Sequence, residues 1–419
     1  MKRVIGKIDP SDKNVSIWGA GFSGLILGYY LKSEGYKVTI YEKANKVGGK
    51  IQTKKVDGGF IEKGPNALYL NADGLELLKE LKLEPVPATK KLKRLLMING
   101  KPKRPFQMGL LSRLGVNVYK KPPLITDGLT VSEFFRPLLG QENVNRFISP
   151  VLSGVYAAPS EQLHFRTIFD QVGTKAQYES YFDFIKHMLK VQKAQPKLEV
   201  SGSVSFEGGM QTLINRLADV MKNDIKLNYR EPFKLKHNTI VCTDAMSASE
   251  MLTPVKPEMA RELSRIRYTE LTSVTVFLKR EIRPLNKSFG VLIPHDTGFN
   301  AFGILNNKAI FPLNNENLLS YTLISKKKLT EEDIISDLRQ LFPEIGKEDI
   351  DHTENNHWDR ALPLYDLQRY LAVKKLHQIS LKEDHLALFG NYAAGISLRE
   401  MITAAKNFAK DPQNYPETT

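Results

Sequence analysis

A glycine-rich stretch near the N-terminus, "VSIWGAGFSGLILGYYL" at residues 15–31, constrains the fold more than any other part of the chain. The apolar run Val15–Trp18 predicts a buried strand, residues 22–35 predict a helix, and "YKVTIYE" at 36–42 predicts a second strand. A strand, a helix and a second strand in this order predict a βαβ unit of an α/β fold. Three glycines stand where the first strand turns into the helix, at positions 19, 21 and 24.

The spacing G-x-G-x-x-G at such a turn is typical of dinucleotide binding. Gly19 allows the tight turn, Gly21 lets backbone N–H groups approach a pyrophosphate, and Gly24 lets the helix pack closely on the strand. The phosphates then lie at the helix N-terminus, where the helix dipole favours an anion. Glu42 stands eighteen residues after Gly24, at the end of the next strand, where a carboxylate binds ribose hydroxyls. An acidic residue there disfavours NADP, whereas the spacing leaves NAD and FAD open.

Composition excludes several other classes of protein. The chain has 419 residues, enough for two domains or one large domain with insertions, and its one cysteine, Cys242, excludes an internal disulfide. No apolar run reaches the roughly 18 residues that span a bilayer, and the N-terminus lacks a signal-peptide core, so we expect a cytoplasmic protein. The eight histidines show no metal-ligand spacing, so no metal site is predicted. Neither a G-x-S-x-G elbow nor a P-loop lysine occurs.

The charge balance is basic, with 60 Lys and Arg against 46 Asp and Glu, a net charge of +14. Such a balance favours anionic partners, although a solvated basic surface explains it equally well. The most basic segment, residues 90–125, interleaves its cations with Leu, Met, Phe and Tyr. It carries no recognisable nucleic-acid module, so no nucleic-acid partner is expected.

Several further segments, in order along nearly the whole chain, resemble one family. They are "EKGPNAL" (62–68), "KRLLMINGKPKRPF" (93–106), "SPVLSGVYAAPSEQL" (149–163), "SFEGGMQTLINRL" (205–217), "FGVLIP" (289–294) with "FGILNNKAIFP" (302–312), and "HWDRALPLY" (357–365). Together they resemble the protoporphyrinogen oxidases of the flavin amine-oxidase superfamily. The segments "SGVYA" and "WDRALPLY" carry most of this resemblance, because they are much more specific than a glycine turn.

The resemblance implies an architecture as well as a cofactor. It implies an α/β protein whose Rossmann-like FAD-binding domain is assembled from residues 1–85, 203–250 and 355–419. An antiparallel sheet at 251–354 then forms an α+β substrate domain. Residues 86–202 form a helical, basic insertion that faces the substrate and the membrane.

Residue by residue, the resemblance places a set of side chains and backbone groups against FAD: Gly19, Gly21, Phe22, Ser23, Gly24, Glu42, Lys43, Gly49, Lys50, Gly64, Pro65, Asn66, Phe233, Thr243, Trp358, Gly390, Gly395, Ile396 and Ser397. A helix that begins near Ser397 directs its N-terminus at the flavin, where its dipole stabilises the anionic reduced form. Lys50 stands where the family usually has arginine, which keeps the charge but loses the bidentate fork. The family usually shows A-T-P where this chain has Cys242-Thr243-Asp244, and the segment 224–243 is shorter than in the family, so the strength of FAD binding stays open.

On the substrate side, the resemblance assigns Arg94 to a propionate and Phe289 and Leu292 to a pyrrole ring, with the carbonyl of Gly290 between them. The guanidinium fork suits a carboxylate. The alternatives are that Arg94 is one more cation beside Lys90, Lys91 and Lys93, and that Phe289 and Leu292 are strand core.

The implied activity is FAD-dependent oxidation of protoporphyrinogen IX or coproporphyrinogen III to the porphyrin, in haem biosynthesis. Successive hydride transfers reduce the flavin, dioxygen or a quinone re-oxidises it, and no catalytic side chain is required. Peripheral contact with the inner face of the cell membrane through residues 90–125 is expected, and a homodimer stays open. Three alternatives remain: a flavin amine oxidase or desaturase, a non-catalytic flavin- or porphyrin-binding protein, and a basic membrane- or nucleic-acid-binding module.

Overall fold

The structure is a computed structural model with mixed α/β architecture. It describes residues 3–413 apart from 105–115, 174, 195–197, 201, 281–284, 286, 296, 312 and 314–318. The strands are β1 (Ile5–Lys7), β2 (Asn14–Trp18), β3 (Lys37–Tyr41), β4 (Thr53–Val56), β5 (Gly59–Glu62), β6 (Leu68–Tyr69), β7 (Val86–Pro87), β8 (Lys93–Ile98), β9 (Lys101–Lys103), β10 (Ser203–Ser205), β11 (Ile225–Lys226), β12 (Asn238–Val241), β13 (Tyr268–Leu278), β14 (Ser288–Leu292), β15 (Gly303–Asn306), β16 (Ser320–Ser325), β17 (Ile350–Pro363) and β18 (Leu386–Leu388).

Helices connect and cover these strands. They are Phe22–Ser33, Ala72–Glu80, Val131–Leu139, Gln141–Asn143, Ser149–Tyr156, Phe165–Ile168, Tyr181–Lys193, Gln211–Val220, Ala245–Leu252, Pro257–Ser264, Asn307–Ile310, Glu331–Leu341, Leu367–Ser380, Asn391–Ala394 and Leu398–Lys410, with a π-helical turn at Val144–Ile148. We call Phe22–Ser33 the glycine-turn helix and Leu398–Lys410 the C-terminal helix.

The first sheet has six strands in the order β1-β18-β12-β2-β3-β11. All of them run parallel except β1, which is antiparallel to β18. The predicted βαβ unit is therefore confirmed, with β2 and β3 paired in parallel around the glycine-turn helix. The carboxyl ends of the parallel strands meet at one edge of the sheet, where ligands bind in folds of this class.

The N-terminal strand β1 has no counterpart in the sequence predictions. Val4 and Ile5 are fully buried, and they belong to the cores on opposite faces of the sheet. Gly6 has φ +91°, and a Cβ there would lie 2.2 Å from the carbonyl oxygen of Leu386. Only glycine fits this close pairing, so the chain before β2 is an integral edge of the sheet.

The second large sheet has seven strands in the order β17-β13-β16-β15-β14-β8-β9. β14 and β15 form an antiparallel hairpin from two of the segments that resemble the family, "FGVLIP" and "FGILNNKAIFP", while β14 and β8 are parallel. The predicted boundary at residue 355 falls inside β17, which pairs with β13 from Ile350 to Pro363. Strands β8 and β9 lie within residues 86–202, so that segment contributes to the sheet as well as supplying helices.

An aromatic core holds the helices of residues 116–194 together. The rings of Phe134 and Phe165 stack with centroids 4.1 Å apart, and Tyr181 and Phe184 pack against Phe134. In the part of the chain that is described, no helix combines the length and apolar character needed to cross a membrane.

Candidate functional site

The turn between β2 and the glycine-turn helix is shaped to hold an anion. Gly19 has φ +107°, and a Cβ on Gly24 would lie 1.9 Å from the Gly19 carbonyl oxygen. Gly21 is the N-cap residue, none of the described side chains caps this helix, and its first turn has no acidic residue. The N–H groups at the helix start, including those of Phe22 and Ser23, are therefore available to a phosphate. The Phe22 ring itself is 5% exposed and packs in the core.

A second glycine turn follows β3 and lies directly against the first. The N–H of Gly48 donates to the Ala20 carbonyl at 2.9 Å, and Gly48 forms an isolated bridge with Gly21. Gly49 has φ +59°, and a Cβ there would lie 3.2 Å from the Gly21 Cα. Side chains at these positions would separate the two turns, so the glycines explain their close approach.

Glu42 directly follows β3 at the same edge of the sheet. Its Oε2 accepts the N–H of Ala20 at 2.8 Å, and its Oε1 accepts the N–H of Ala44 at 2.8 Å. Each carboxylate oxygen has a further lone pair, so the half-buried side chain can still accept ribose hydroxyls. The adjacent Lys43 is exposed.

Four aromatic rings form a cluster beside Glu42. The Trp18 ring lies 4.9 Å from Tyr41, 5.8 Å from Tyr229 and 5.0 Å from Phe233, centroid to centroid. The N–H of Tyr229 donates to the Glu42 carbonyl at 2.9 Å, and the buried Nε1 of Trp18 has no hydrogen-bond partner within the described part of the chain. Of these rings, the sequence predictions included only Phe233. The other three are separated in sequence and share no motif, so no local signal groups them.

Lys50 points away from the glycine turns and toward β17. Its Nζ donates to the Ala361 carbonyl at 2.8 Å and lies 5.3 Å from the centroid of the Tyr268 ring. Burial lowers the pKa of Lys50 to about 8, with the Asp244 carboxylate raising it and the Arg360 guanidinium lowering it further. In this conformation Lys50 is a partly desolvated cation.

Three further predicted cofactor residues, Gly64, Pro65 and Asn66, belong to a segment that contacts both Lys50 and β17. A Cβ on Gly64 would lie 2.0 Å from the Lys50 carbonyl oxygen, so the two backbones touch. The Nε1 of Trp358 donates to the Lys63 carbonyl at 2.7 Å, which fixes the indole against this segment. The structure therefore brings these predicted cofactor residues together.

Thr243 connects the glycine turn with the C-terminal turn. Its Cγ2 lies 3.2 Å from the position of a Cβ on Gly19, and its carbonyl oxygen lies 3.4 Å from that on Gly390. Gly395 has φ +102° and precedes Ile396 and the N-cap residue Ser397, whose side chain makes no capping bond.

Asp244 stands where the resembling family usually has proline, and in this structure it has contacts of its own. Its carboxylate caps the helix Ala245–Leu252, accepting the N–H of Ser247 at 3.2 Å, and its Oδ1 lies 3.0 Å from the Arg360 guanidinium. An aspartate at this position therefore stabilises the helix and holds β17 near the site.

A pyrophosphate dinucleotide fits the residues that these elements bring together. The uncapped glycine-turn helix suits the phosphates, Glu42 suits a ribose, and the aromatic rings offer apolar area to a base. All nineteen predicted cofactor residues lie on the segments described above, although their individual contacts with FAD stay predictions.

The predicted substrate residues lie together on β8 and β14. Arg94 stands opposite Gly290 in the parallel pair, and its guanidinium carbon lies 5.3 Å from the centroid of the Phe289 ring. No ion pair joins Arg94 to a carboxylate in the described residues, so its fork is available to an anion. Lys90 and Lys91 instead line a separate cavity of about 480 Å³, so the basic run does not converge as a whole on Arg94.

Gly154, from the "SGVYA" segment, was absent from the predicted substrate residues. A Cβ on Gly154 would lie 2.7 Å from the Cδ2 of Leu292, so the helix Ser149–Tyr156 rests directly on β14. The neighbouring Ser153 Oγ lies 3.0 Å from the Nε2 of His295. The specificity of the "SGVYA" segment was the signal that could have identified Gly154.

Comparison with known proteins places this arrangement in a family. Residues 22–231, half of the chain, match the family described as "Flavin containing amine oxidoreductase". The chain belongs to this family. It is therefore an FAD-dependent oxidoreductase, and the predicted cofactor is confirmed.

Individual relatives share about a quarter to a third of their aligned residues with this chain. Protoporphyrinogen oxidase 2 of Arabidopsis thaliana is 27% identical over an alignment that covers 97% of this chain and 95% of that protein. Coproporphyrinogen III oxidase of Staphylococcus aureus is 31% identical, over 50% of this chain and 52% of that protein. A solved structure from Exiguobacterium sp. 255-15, provisionally assigned as a protoporphyrinogen oxidase, superposes with a TM-score of 0.75 at 16% identity, covering 96% of this chain and 98% of the other. That last likeness concerns the fold alone.

Proposed function

We propose that this flavoprotein oxidises a porphyrinogen, protoporphyrinogen IX or coproporphyrinogen III, to the corresponding porphyrin in haem biosynthesis. The arrangement on β8 and β14 carries the proposal. Arg94, an exposed guanidinium with no carboxylate partner among the described residues, stands over the Phe289 ring at the rim of an apolar strand face. A tetrapyrrole with acidic side chains needs a cation at the edge of a flat apolar surface, and these residues provide both.

The substrate side requires positioning more than acid–base chemistry. When bound, FAD would supply the two-electron redox chemistry, with dioxygen or a quinone as the final acceptor, so the residues of this chain need only bind and orient the ring. Arg94 binds a substrate carboxylate, and Phe289 and Leu292 contact the ring face. Because Gly154 has no side chain, the Leu292 side chain can occupy the position that it has in this structure.

The test is a turnover assay on the purified holoprotein. Protoporphyrinogen and coproporphyrinogen are added separately, and porphyrin fluorescence is followed against the spontaneous oxidation rate. We expect one of them to be oxidised above background, which also identifies the substrate. No rate on either, together with oxidation of an amine such as cyclohexylamine, would replace the proposal with the amine-oxidase alternative.

A matched pair of variants tests the residue that carries the proposal. Removal of a charge-assisted hydrogen bond costs about 1.5–3 kcal/mol, so Arg94→Ala should lower kcat/KM about 10- to 100-fold, mainly through KM. Lys93→Ala removes the neighbouring exposed cation of the same strand and should leave kcat/KM within about threefold. Equal losses in the two variants would mean that Arg94 contributes only general positive charge.

We further propose that the protein is cytoplasmic and contacts the inner face of the cell membrane peripherally through residues 90–125, of which 105–115 lie outside the described residues. In the described part, the side chains of Tyr119 and Leu124 are 73% and 54% exposed, and the intervening Lys120 and Lys121 are exposed as well. Exposed apolar groups beside cations suit an anionic bilayer surface, where each cation adds about 1 kcal/mol.

Sedimentation with vesicles tests the membrane contact. We expect binding to phosphatidylglycerol vesicles and little binding to phosphatidylcholine vesicles. The double variant Tyr119→Ser, Leu124→Ser should reduce the bound fraction without changing porphyrinogen turnover in detergent. Wild-type protein that stays in the supernatant with both kinds of vesicle would refute the contact.

A further inference from the structure

The C-terminal helix begins at the same edge of the first sheet as the glycine-turn helix. Both follow a parallel strand, β18 and β2 respectively, so both start at the carboxyl edge where the cofactor binds. They pack side by side in one core, to which Ile26, Ile402 and Ala405 all belong. The turn at Gly395 therefore faces the FAD crevice.

Arg3, at the N-terminus of the chain, reaches into this turn. Its Nη1 donates to the Ala394 carbonyl at 2.6 Å and lies 3.2 Å from Oε2 of Glu400. Its Nη2 donates to Oδ2 of Asp170 at 2.7 Å. The Arg3 side chain is only 15% exposed, whereas the side chains of Asp170 and Glu400 are 42% and 30% exposed, so the cluster is partly buried and borders on solvent.

The backbone fixes the position of Arg3. The strand β1 begins two residues later, and its pairing with β18 sets Ile5 opposite Leu388. Val4 and Ile5 are fully buried on either side of the sheet. An arginine attached to such a strand loses little conformational freedom when it forms its contacts, because its backbone is already ordered.

The contact between Arg3 and Glu400 changes the electrostatics at the start of the C-terminal helix. Glu400 is the acidic residue of the first turn of this helix, whose N-terminus is not capped by any side chain that the structure describes. A carboxylate there offsets the positive end of the helix dipole, which would otherwise stabilise an anionic group in the crevice. Both Oε2 of Glu400 and Nη1 of Arg3 lie within about 2.5 Å of the position that a Cβ on Gly395 would occupy, so the pair packs directly against the turn.

The same cluster reaches the substrate side of the crevice. Asp170 belongs to the helical part of the chain, as does Tyr156, the tyrosine of the "SGVYA" segment. Burial raises the pKa of Tyr156 to about 12, with the Glu400 and Asp170 carboxylates adding to the rise and Arg3 opposing it. Through Asp170, Arg3 thus joins the cofactor turn to the helical part of the chain that also contains Tyr156.

We propose that Arg3 is a positioning residue of the FAD site. It neutralises Glu400 at the start of the C-terminal helix, so that the helix dipole favours reduced, anionic FAD, and it ties this turn to the helical insertion through Asp170. The proposal depends on FAD binding and not on the identity of the substrate, so it stands or falls independently of porphyrinogen turnover.

The experiment is a double-mutant cycle read out as the reduction potential of bound FAD. Arg3→Gln leaves Glu400 unpaired and should lower the preference for reduced over oxidised FAD about tenfold, equivalent to about 30 mV for a two-electron couple. Glu400→Gln should shift the preference the opposite way by a similar factor. The double variant should lie within about threefold of the wild type, and Arg3→Lys should recover most of the Arg3→Gln loss.

A control on the same strand separates electrostatics from strand stability. Lys7 pairs with Asp384 at 2.7 Å at the other end of β1, away from the cofactor turn. Lys7→Gln should leave the potential unchanged, while the melting temperature of the apoprotein shows whether either variant frays the strand. Shifts of the same sign in Arg3→Gln and Glu400→Gln, or an unchanged potential in both, would overturn the proposal.

Discussion

The pH dependence of FAD binding offers the sharpest test of the cofactor site, through Lys50. In the structure, burial lowers the pKa of this side chain from 10.5 to about 8, and its Nζ donates to the Ala361 carbonyl. Lys50 directly follows Gly49, which touches the turn that receives the pyrophosphate. We therefore expect FAD to draw Lys50 toward its phosphates and to raise the pKa of Lys50, because an anion favours the charged form.

The size of the effect follows from this pKa. Below pH 8 Lys50 is charged before and after FAD binds, so the affinity does not depend on its titration. Above pH 8 the apoprotein must take up a proton to bind FAD, so the affinity falls by up to tenfold for each pH unit. If the bound pKa returns to 10.5, the difference from about 8 corresponds to about 3 kcal/mol of binding free energy.

Titration of the apoprotein with FAD between pH 6.5 and 9, followed by quenching of the flavin fluorescence, measures this directly. The wild type should lose affinity by up to about tenfold between pH 8 and 9. Lys50→Met should bind more weakly at pH 7 and show a flat profile, and Lys50→Arg should stay charged and flat throughout. A Lys50→Met profile that follows the wild-type curve would refute a contact between Lys50 and the phosphates of FAD. Lys50 would then only hold its own segment against β17.

Three further predictions concern stability and packing. Gly24→Ala places a Cβ 1.9 Å from the Gly19 carbonyl oxygen, an overpacking that costs about 1–3 kcal/mol. The purified variant should therefore contain markedly less FAD. The control Gly128→Ala, whose Cβ would meet no described atom within 4 Å, should retain a full complement of FAD. Gly154→Ala should raise KM severalfold with unchanged FAD content, because the new Cβ displaces the Leu292 side chain; an unchanged KM would show that Leu292 moves without cost. Burial raises the pKa of Glu62 from 4.5 to about 7. Between these values the folded state holds a proton that the unfolded state has released. The free energy of unfolding should therefore fall as the pH rises from 5 to 7, by up to about 3 kcal/mol. Denaturant unfolding at pH 5 and 7.5 should show that fall in the wild type and a shallower one in Glu62→Gln, and parallel falls would contradict it.

Local signals in the sequence account for the elements around the first glycine turn. The strand at Asn14–Trp18, the helix at Phe22–Ser33 and the strand at Lys37–Tyr41 follow the predicted order, because apolar periodicity and glycine chemistry act between near neighbours. The two segments of the β14–β15 hairpin were identified through the family resemblance instead. The placement of Arg94 beside Phe289 came from the family resemblance, since nothing local to residue 94 predicts that β8 pairs in parallel with β14.

Other features depend on contacts between distant segments, and no local pattern contains them. The strand β1 has three residues, too few to show a period, and it forms because β18 offers a free edge nearly four hundred residues later. The direction of Lys50 depends on a carbonyl of β17, and the aromatic cluster beside Glu42 assembles from three separate segments.

The sequence by itself therefore determined the dinucleotide-binding turn, the parallel sheet around it and, through resemblance, the class of cofactor. Only the tertiary structure decided that the N-terminus supplies an arginine to the cofactor turn and that Gly154 rests on Leu292. The physical reason is that turn geometry and helix dipoles are properties of neighbouring residues. The pairing of a charge with its partner across the fold depends on how every intervening element packs.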